Sequence, residues 1–565
     1  MGRRGRRRRT VGGPAGDGPG PEFGALFLPL ALQNLLLTYT STAMNVALSA
    51  IVRDLHTTLI AVQSAISLYS LVVAASLIAA SKIGARHGYQ RTFVFGAGVF
   101  AVGTLVTALA PNMAFMLVGW PLLQGIGVAL MLPALLSLLT EALSGATRTR
   151  ALSALGTIGG IGAAAGPLLG GFITHYSSWR VSFLMGTVVT VAVMLLMRRA
   201  AEAESPPARP GQRFDVAGAL LSAAGVGLLV VAILLAGWFG LLRARHDVEV
   251  FGHTLFHRGG LSPVPVLAGI GLVVLAAFAV WERHLVERGR DPLVRLSVLR
   301  NRTVRAGTQT QAMQYLVPNG ALFLVPVFLQ TTLGFDALRC GVTLLPTTLG
   351  LMLTAAPAAR LVAAQRMTHR AAQMWSFLFL LAGCVVVAAL FDPRRGITAT
   401  GLALAPGLFL VGVGQGLATT VTDLIQSAAP PDEVSDVTGL SRSGTYLGSS
   451  LGVALAGAVM TTTLLHSFES RTDGSTVLTS TQKELTKEAL ERQVQITAAT
   501  DQAVRAKLEA RGVAQDASQE VVRINAYARE RALTLGVACM AALAAAGCLV
   551  ASRIPRVRTR APRPR

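Results

Sequence analysis

The sequence predicts an all-α integral membrane protein whose chain crosses the bilayer fourteen times. Three observations lead to this fold class. Of the 565 residues, 52% are hydrophobic and only 14% are charged, whereas a soluble chain of this length needs a more charged surface. Apolar runs of about 20 residues, long enough to cross the hydrocarbon core as a helix, recur along the whole chain. The mean hydropathy of +0.55 agrees with these runs.

The candidate spans follow when the chain is divided at charged positions, Pro/Gly clusters and turn residues. They cover residues 25–51, 58–81, 93–110, 113–140, 151–174, 181–197, 215–238, 263–282, 304–333, 338–359, 371–391, 397–420, 437–464 and 532–552. The loops between them are mostly short. The exception is the polar segment 465–531, which contains helix-forming stretches such as "TQKELTKEALERQVQ".

The distribution of basic residues predicts the orientation of the chain. The formal net charge is +22, and Lys and Arg are much more frequent in the tails and short loops of one side than in the short loops of the other. Because such loops stay in the cytoplasm, we expect a multi-pass protein of the cell membrane with both termini cytoplasmic. Topology then explains the basic tails, which are placed to contact anionic lipids, and binding of nucleic acid is not expected.

Two charged linkers divide the spans into groups of six, two and six. The first linker, "RRAAEAESPPARPGQR", is rich in proline and charge, as expected for a hinge between membrane lobes. The predicted parts are a basic tail (1–24), an N-terminal six-helix lobe (25–198), a cytoplasmic linker (199–214), two additional helices (215–284), a basic linker (285–303), a C-terminal six-helix lobe (304–553) with the extracellular segment 465–531, and a basic tail (554–565).

One span has glycine at a regular spacing. In "IGAAAGPLLGG", Gly162, Gly166 and Gly170 recur every four residues, so they share one helix face and allow another backbone to approach closely. Pro167 removes an intrahelical hydrogen bond and permits a kink. The alternative is ordinary packing of small residues. Farther along, a second pattern of glutamine, glycine and proline appears at Gln330, Gly334, Gly341, Pro346 and Pro357.

These motifs occur together with the "NVAL" stretch at 45–48 and with the six-two-six layout of the spans. In these features the sequence resembles the fourteen-span drug:proton antiporter branch of the major facilitator superfamily, over nearly the whole chain. The resemblance implies two six-helix lobes plus two central helices. It also implies a bendable seam between the lobes during alternating access. The residues of this seam are Gly162, Gly166, Pro167, Gly170 and Gly171.

The sequence departs from the family pattern in three segments. Span one has Thr40 where the branch has an acid, span four has Pro121 in place of an arginine, and the cytoplasmic loop "SKIGARHGYQR" has Ala85 in place of an aspartate. The candidate latch residues that remain in this loop are Arg86, Gly88 and Arg91. We therefore expect a latch that works differently or weakly, and the sequence does not decide whether transport is coupled to protons.

Neutral polar residues form stripes at helical spacing in the first span of each lobe. These stripes, with two glutamines of spans two and four, are the candidate lining of a substrate path. The candidates are Thr38, Thr42, Asn45, Gln63, Gln124, Thr308, Gln311, Tyr315 and Asn319. The alternative for each is hydrogen bonding between helices. Arg442 is the single charge well inside a span, and it either extends to the cytoplasmic interface or faces the cavity.

The predicted function is therefore export of an amphipathic organic compound, such as a drug, metabolite or lipid-like molecule, by alternating access. Proton coupling is one possibility; an uncoupled facilitator or lipid mover, and a non-transporting sensing or assembly subunit, are the alternatives. Enzymatic activity is not expected. No metal-ligand cluster, P-loop or nucleotide fingerprint occurs in the sequence, so neither cofactor, metal nor nucleotide is expected. We expect a monomer with a small-molecule substrate.

Overall fold

The computed structural model describes residues 21–555 apart from 144, 201–214, 241, 245–246, 251–252, 258, 291, 392–396, 429–433, 485, 487–503, 507 and 509–512. Most of both predicted basic tails, most of the first linker and a large part of segment 465–531 lie outside the described residues.

The first half of the chain is helical. Its helices are α1 (Pro21–Asp54), α2 (Leu59–His87), α3 (Tyr89–Ala108), α4 (Met113–Leu117), α5 (Gly125–Ala142), α6 (Gly145–Tyr176), α7 (Trp179–Ala200), α8 (Val216–Phe239) and α9 (Pro263–Glu287). A π-helical stretch, Val118–Gln124, joins α4 to α5 and contains Pro121. Proline removes a backbone donor and crowds the preceding turn, and a π-helical turn relieves that crowding. Between α8 and α9, the strands β1 (Val248–Val250) and β2 (His253–Phe256) pair antiparallel.

The second half follows a short 3₁₀ helix, Leu296–Arg300. Its helices are α10 (Arg302–Thr331), α11 (Ala337–Ala363), α12 (His369–Leu390), α13 (Ile397–Ala418), α14 (Val421–Ser427), α15 (Val434–Asp473) and α16 (Gln515–Ser552). Polar side chains begin several of these helices. Asp336 Oδ1, for example, accepts a hydrogen bond of 2.7 Å from the Arg339 N–H, which satisfies a donor that the helix itself leaves unpaired.

The predicted number of spans agrees with the structure. Among the described residues, 13 helices are long and apolar enough to cross a membrane. The number becomes 14 when the two segments of α2, Ala61–Leu77 and Ala79–His87, which are bent by 47°, are taken as one span. The hairpin β1–β2 is the addition that the sequence did not predict, and the all-α membrane fold is confirmed.

The helices form two groups, which we call the N-lobe (α1–α7) and the C-lobe (α10–α16). The lobes contact each other mainly through two helix pairs, α2 with α15 and α6 with α11. The additional helix α8 packs against both α2 and α15, and α9 packs against α8. The additional pair therefore lies along one seam between the lobes. We call the face that holds Gly88 the predicted cytoplasmic face and the face that holds residues 55–58 the predicted extracellular face.

Helices α15 and α16 continue beyond the predicted ends of their spans at residues 464 and 532. Their extensions bury Phe468, Val521 and Ile524 in a small hydrophobic cluster separate from the main core. The guanidinium of Arg471 lies 4.0 Å from the ring centroid of Tyr527. Segment 465–531 thus starts and ends in helices that pack on each other, because apolar residues recur on their facing sides.

Candidate substrate path between the two lobes

The predicted seam helix α6 lies directly against the predicted polar stripe of α1. A Cβ atom added to Gly166 would collide with Thr42 and lie 2.9 Å from the carbonyl oxygen of Tyr39. Gly162 faces Thr38 in the same way. The Thr42 hydroxyl donates a hydrogen bond of 3.0 Å to the Ala163 carbonyl oxygen of α6. Two sets of candidate residues therefore form one contact between backbones, which a side chain on α6 would push apart.

The same helix makes a close contact with the other lobe. A Cβ atom at Gly171 would lie 2.5 Å from the carbonyl oxygen of Ala337 at the start of α11. On α11, a Cβ atom at Gly341 would lie 2.9 Å from the carbonyl carbon of Pro167. Gly170 instead packs on Ala43 of α1, at 2.7 Å between the added Cβ and the alanine Cβ. Helix α6 therefore lies between α1 and α11 with glycine on both sides.

The second seam, between α2 and α15, is polar along its length. The hydroxyl of Ser450 donates a hydrogen bond of 2.7 Å to the carbonyl oxygen of Ser67, and the hydroxyl of Ser443 donates one of 3.1 Å to that of Ala74. Gln63 belongs to this seam, because its Nε2 donates to the carbonyl oxygen of Val453 at 3.2 Å. Side chains of one lobe thus bind the backbone of the other.

An ion pair closes this seam at the predicted cytoplasmic face. Lys82 Nζ of α2 lies 3.0 Å from Asp436 Oδ1 in the first turn of α15, and the two side chains are 25% and 8% exposed. The helix N-terminus adds a further favourable interaction with the carboxylate. This pair joins the lobes three residues before Ala85, the position at which the family acid is absent.

Polar contacts also join the lobes near the predicted extracellular face. Gln330 of α10 accepts a hydrogen bond of 3.0 Å from the Ser49 N–H and donates one of 3.2 Å to the Asn45 carbonyl oxygen, both on α1. His175 Nδ1, at the end of α6, lies 3.8 Å from Asp336 Oδ2 at the start of α11. Asn45 is therefore placed at the lobe interface through its backbone.

In the N-lobe, Gln124 points away from the space between the lobes. It is buried, and its Nε2 donates a hydrogen bond of 3.0 Å to the Thr107 hydroxyl of α3. This contact gives Gln124 a packing role within the lobe, and we leave it out of the substrate path. Sequence alone did not separate it from Gln63, since both are glutamines in apolar helices.

In the C-lobe, the stripe of α10 divides into packed and open positions. Gln311 is buried, and its side-chain Nε2 donates to the Thr422 hydroxyl at 3.2 Å, while the Ser441 hydroxyl of α15 donates to the Gln311 side-chain oxygen Oε1. Thr308 lies beside Gly444 of α15, and its hydroxyl is buried without a hydrogen-bond partner among the described residues. These two positions pack α10 against its neighbours.

The other two positions of this stripe are more open. Tyr315 is 36% exposed in the middle of α10, although α10 is otherwise largely buried. The Asn319 side chain donates a hydrogen bond of 2.7 Å to the Tyr315 carbonyl oxygen. Tyr315 and Asn319 are therefore the less packed positions of this stripe.

Arg442 of α15 is half-buried, about two turns after the helix begins at Val434. Its Nε atom is buried without a hydrogen-bond partner in the described part of the chain. Tyr446, one turn farther along, lies near both Arg442 and Tyr315 of α10. Arg442 therefore belongs to the same interior region as the open position of α10.

The predicted latch loop is a tight turn with an exposed basic surface. Gly88 connects α2 to α3 with φ at +93°, a conformation that a side chain strongly disfavours. Its N–H donates to the Gly84 carbonyl oxygen at 2.9 Å. Arg86 and Arg91 are exposed, so the ion pair between the lobes at this face uses Lys82 instead.

Thr40 replaces the family acid with a self-contained hydroxyl. The residue is 6% exposed, and its Oγ1 donates to the carbonyl oxygens of Leu36 and Leu37 in its own helix, at 3.0 and 3.1 Å. A threonine bonded to the preceding turn has no proton to exchange near neutral pH. Position 40 thus provides no proton-carrying group.

Several interface residues were missed by sequence reasoning. Lys82 was part of the quoted loop but was not singled out. On α15, the residues that contact α2 are spaced by seven: Ser443, Ser450 and Gly457, the last of which lies against Gln63. This repeat of small residues on one helix face was the feature of the sequence that could have indicated a helix contact there. Tyr446 and Tyr69 carried no signal beyond their aromatic character.

The two lobes, the spans and the glycine-lined contact between the lobes define a polytopic membrane transporter. Residues 30–453 match the sequence model of the Major Facilitator Superfamily, and the chain belongs to this family. It is a transporter and not an enzyme.

Curated relatives with similar sequences are transport, export and resistance proteins. The chain is 30% identical over 448 residues to the tetracenomycin C resistance and export protein of Streptomyces glaucescens, covering 77% of this chain and 75% of the relative. It is 27% identical to the probable actinorhodin transporter of Streptomyces coelicolor, over 78% of this chain and 75% of the relative. It is also 27% identical to a puromycin resistance protein of Streptomyces alboniger, with 79% and 83% covered.

Solved structures support the fold alone. A bacterial homolog of the human lysosomal transporter Spinster, in an inward-facing and unoccupied conformation, aligns with a TM-score of 0.60 at 14% identity, covering 95% of this chain and 98% of that one. An auto-inhibited peptide transporter of the POT family aligns with a TM-score of 0.58 at 15% identity, with the same coverage.

Proposed function

We propose that the protein exports an amphipathic organic compound across the cell membrane by alternating access, with both termini in the cytoplasm. The lobes in this proposal are residues 25–198 and 304–553, and residues 215–284 form the additional pair of helices. The observation that carries the proposal is the position of α6 between α1 and α11, with glycine at each contact. Backbone contacts of this kind let two rigid lobes rock without unpacking bulky side chains.

The direction of transport and the kind of substrate are supported by the relatives. Their names describe resistance to and export of tetracenomycin C, probable transport of actinorhodin, and resistance to puromycin. In this proposal the substrate crosses between the lobes, past Tyr315 and Asn319 of α10 and past the side of α1 that carries Asn45. The contact of Pro167 and Gly171 of α6 with α11 serves as the seam between the lobes, and the Lys82–Asp436 pair serves as the latch at the cytoplasmic face.

The test compares accumulation of a panel of amphipathic antibiotics and dyes in an efflux-deficient bacterial host with and without the protein. We expect lower accumulation and higher resistance for a subset of the panel. Gly341→Ala should remove most of this effect, because its new Cβ meets the Pro167 backbone across the lobes, and overpacking of a close contact costs about 1–3 kcal/mol.

The matched control is Gly156→Ala in α6. No atom lies within 4 Å of a Cβ added at this exposed glycine, and we expect wild-type accumulation. If no compound of the panel is moved in cells or in proteoliposomes, and a stable partner co-purifies instead, the protein is a non-transporting subunit and the proposal is wrong. If Gly341→Ala and Gly156→Ala behave alike at equal expression, the α6 seam is not the moving contact.

A second candidate, an uncoupled facilitator of the same fold, is favoured by Thr40. An exporter that exchanges protons needs an interior group that takes up and releases one, and Thr40 supplies only a hydroxyl bonded to its own helix. Proteoliposome flux that continues without a pH gradient would favour this candidate over a proton antiporter.

A further inference from the structure

Arg442 lies on a polar face of α15 that is turned toward the interior. It shares that face with Thr438, Tyr446 and Ser449, at spacings of four, four and three residues. Other sides of α15 are already used: Ser443 and Ser450 contact α2, and the glycines Gly444, Gly448 and Gly452 contact α10. The polar face lies between these two lines of contact.

Tyrosine neighbours show which space this face adjoins. Tyr446 lies near Arg442 on its own helix and near Tyr315 on α10, and Tyr69 of α2 lies near Tyr446. Tyr69 in turn stacks on Trp120, with 6.0 Å between ring centroids. The region around Arg442 is therefore bounded by aromatic side chains from α2, α10 and α15, that is, from both lobes.

The guanidinium of Arg442 has no partner of its own in the described part of the chain. No ion pair or hydrogen bond of its side chain occurs there, and its Nε atom is buried. The nearest acid along the helix, Asp436, is engaged with Lys82 at 3.0 Å. A cation with a buried, unsatisfied donor is costly, and an anion bound in bidentate geometry would satisfy it.

The charged residues within the predicted spans indicate that the charge in the membrane interior is positive. Arg442 is the one Lys, Arg, Asp or Glu that lies more than a helical turn inside any of them. Thr40, at the position of the family acid, is neutral. An organic cation would thus meet the positive charge of the guanidinium at this position, whereas an organic anion would find a partner.

We propose that Arg442 binds the acidic group of the transported compound, so that the substrates are aromatic organic anions. A carboxylate or ionised phenol pairs with the guanidinium, and the rings of the compound pack against Tyr446 and the exposed face of Tyr315. This inference rests on the proposed export function and names its substrate class.

The experiment uses the full-length protein in lipid nanodiscs and three anthracene probes that share one ring system and carry a 9-substituent of negative, zero or positive charge: 9-anthracenecarboxylate, 9-anthracenemethanol and 9-(aminomethyl)anthracene. Binding is measured by fluorescence titration. We expect the carboxylate to bind about tenfold or more tightly than the alcohol, as for a charge-assisted bidentate contact, and the amine to bind most weakly. Arg442→Gln should abolish the preference for the carboxylate, and Arg442→Lys should keep part of it because a point charge remains.

Arg305→Gln is the matched control, because Arg305 is exposed near the start of α10 on the same side of the membrane. It should leave all three affinities unchanged. Gel filtration and thermal melting check that each variant is folded. If Arg442→Gln does not fold, the proposal is tested by the partial loss of the carboxylate preference in Arg442→Lys and by the change in melting temperature that each probe causes in the wild-type protein. An unchanged preference in Arg442→Gln, or equal binding of the amine by the wild type, would overturn the proposal.

Proteoliposome flux of the same probes separates this proposal from the export function. If the amine or the alcohol is exported and the carboxylate is not, the export function stands and the anionic substrate class is wrong. If the carboxylate binds through Arg442 but none of the probes or panel compounds is moved, the anion site stands and the export function is wrong.

Discussion

Breaking the Lys82–Asp436 ion pair should open the predicted cytoplasmic face. At 3.0 Å, the two charges attract each other by about 5 kcal/mol at an effective dielectric constant of about 20. Lys82 is 25% exposed, and desolvation and solvent screening offset most of that attraction, which leaves a net contribution of about 1–2 kcal/mol. Loss of the pair should therefore shift the equilibrium from closed to open by about 5- to 30-fold.

The assay is hydrogen–deuterium exchange of the purified protein in nanodiscs, read from peptides that cover Ala79–His87 and the first turns of α15. We expect faster exchange in both peptides for Lys82→Gln and for Asp436→Asn. The double charge exchange Lys82→Asp with Asp436→Lys should restore most of the protection. Restoration will be incomplete, since a cation at the N-terminus of α15 is unfavourable by about 0.3–1 kcal/mol.

Arg523→Gln provides the matched control for loss of a basic side chain from an ion pair. Its partner, Glu520, lies in the same helix at 3.6 Å. Because this ion pair does not connect the two lobes, hydrogen exchange in the two peptides should stay as in the wild type. Single variants that exchange like the wild type, or a double exchange no better protected than the single variants, would refute a latch at Lys82 and Asp436.

Three further predictions concern other parts of the molecule. Gly88→Ala should lower thermal stability by about 1 kcal/mol or more, because the alanine must adopt the φ of +93° between α2 and α3; a melting temperature equal to wild type would contradict this. Gln330→Leu removes two hydrogen bonds to α1 and should speed hydrogen exchange of the peptide around Asn45 and Ser49 without changing that of Ala79–His87. In everted vesicles, collapse of the pH gradient with nigericin should reduce export less than it does for an acid-bearing relative. It should also reduce export less than collapse of the membrane potential with valinomycin and potassium. A loss with nigericin that equals or exceeds the loss with valinomycin would show a proton-carrying group elsewhere.

The fold was predictable from sequence because the bilayer imposes a strong constraint. A helix that crosses it needs about 20 apolar residues, so the spans are visible even where family motifs have changed. Helix ends were less predictable: α15 and α16 run past the spans to form their own cluster around Phe468 and Val521. Apolar residues at helical spacing continue a helix in water as well, and hydropathy cannot distinguish the two parts.

The partners of polar residues were less predictable, because periodicity gives the face of a helix and not its neighbour. Thr38 and Thr42 were correctly grouped on one face, yet that face meets the glycines of α6. Gln63 and Gln124 looked equivalent in sequence, but one bonds the other lobe and one bonds α3. The Lys82–Asp436 pair joins residues far apart in the chain, and a single sequence contains no signal for such a pairing.

Two features, the absence of the membrane acid at position 40 and the presence of Arg442, are both consistent with transport driven by the membrane potential. A cationic drug must be exported against a membrane potential that is negative inside, so its exporter benefits from exchange for protons. A monoanion is driven outward by that same potential, by about 2.3 kcal/mol per 100 mV, enough for about a 50-fold gradient. An exporter of organic anions therefore needs a cation at its binding site and no proton-carrying acid, which agrees with the guanidinium of Arg442 and with the neutral hydroxyl of Thr40.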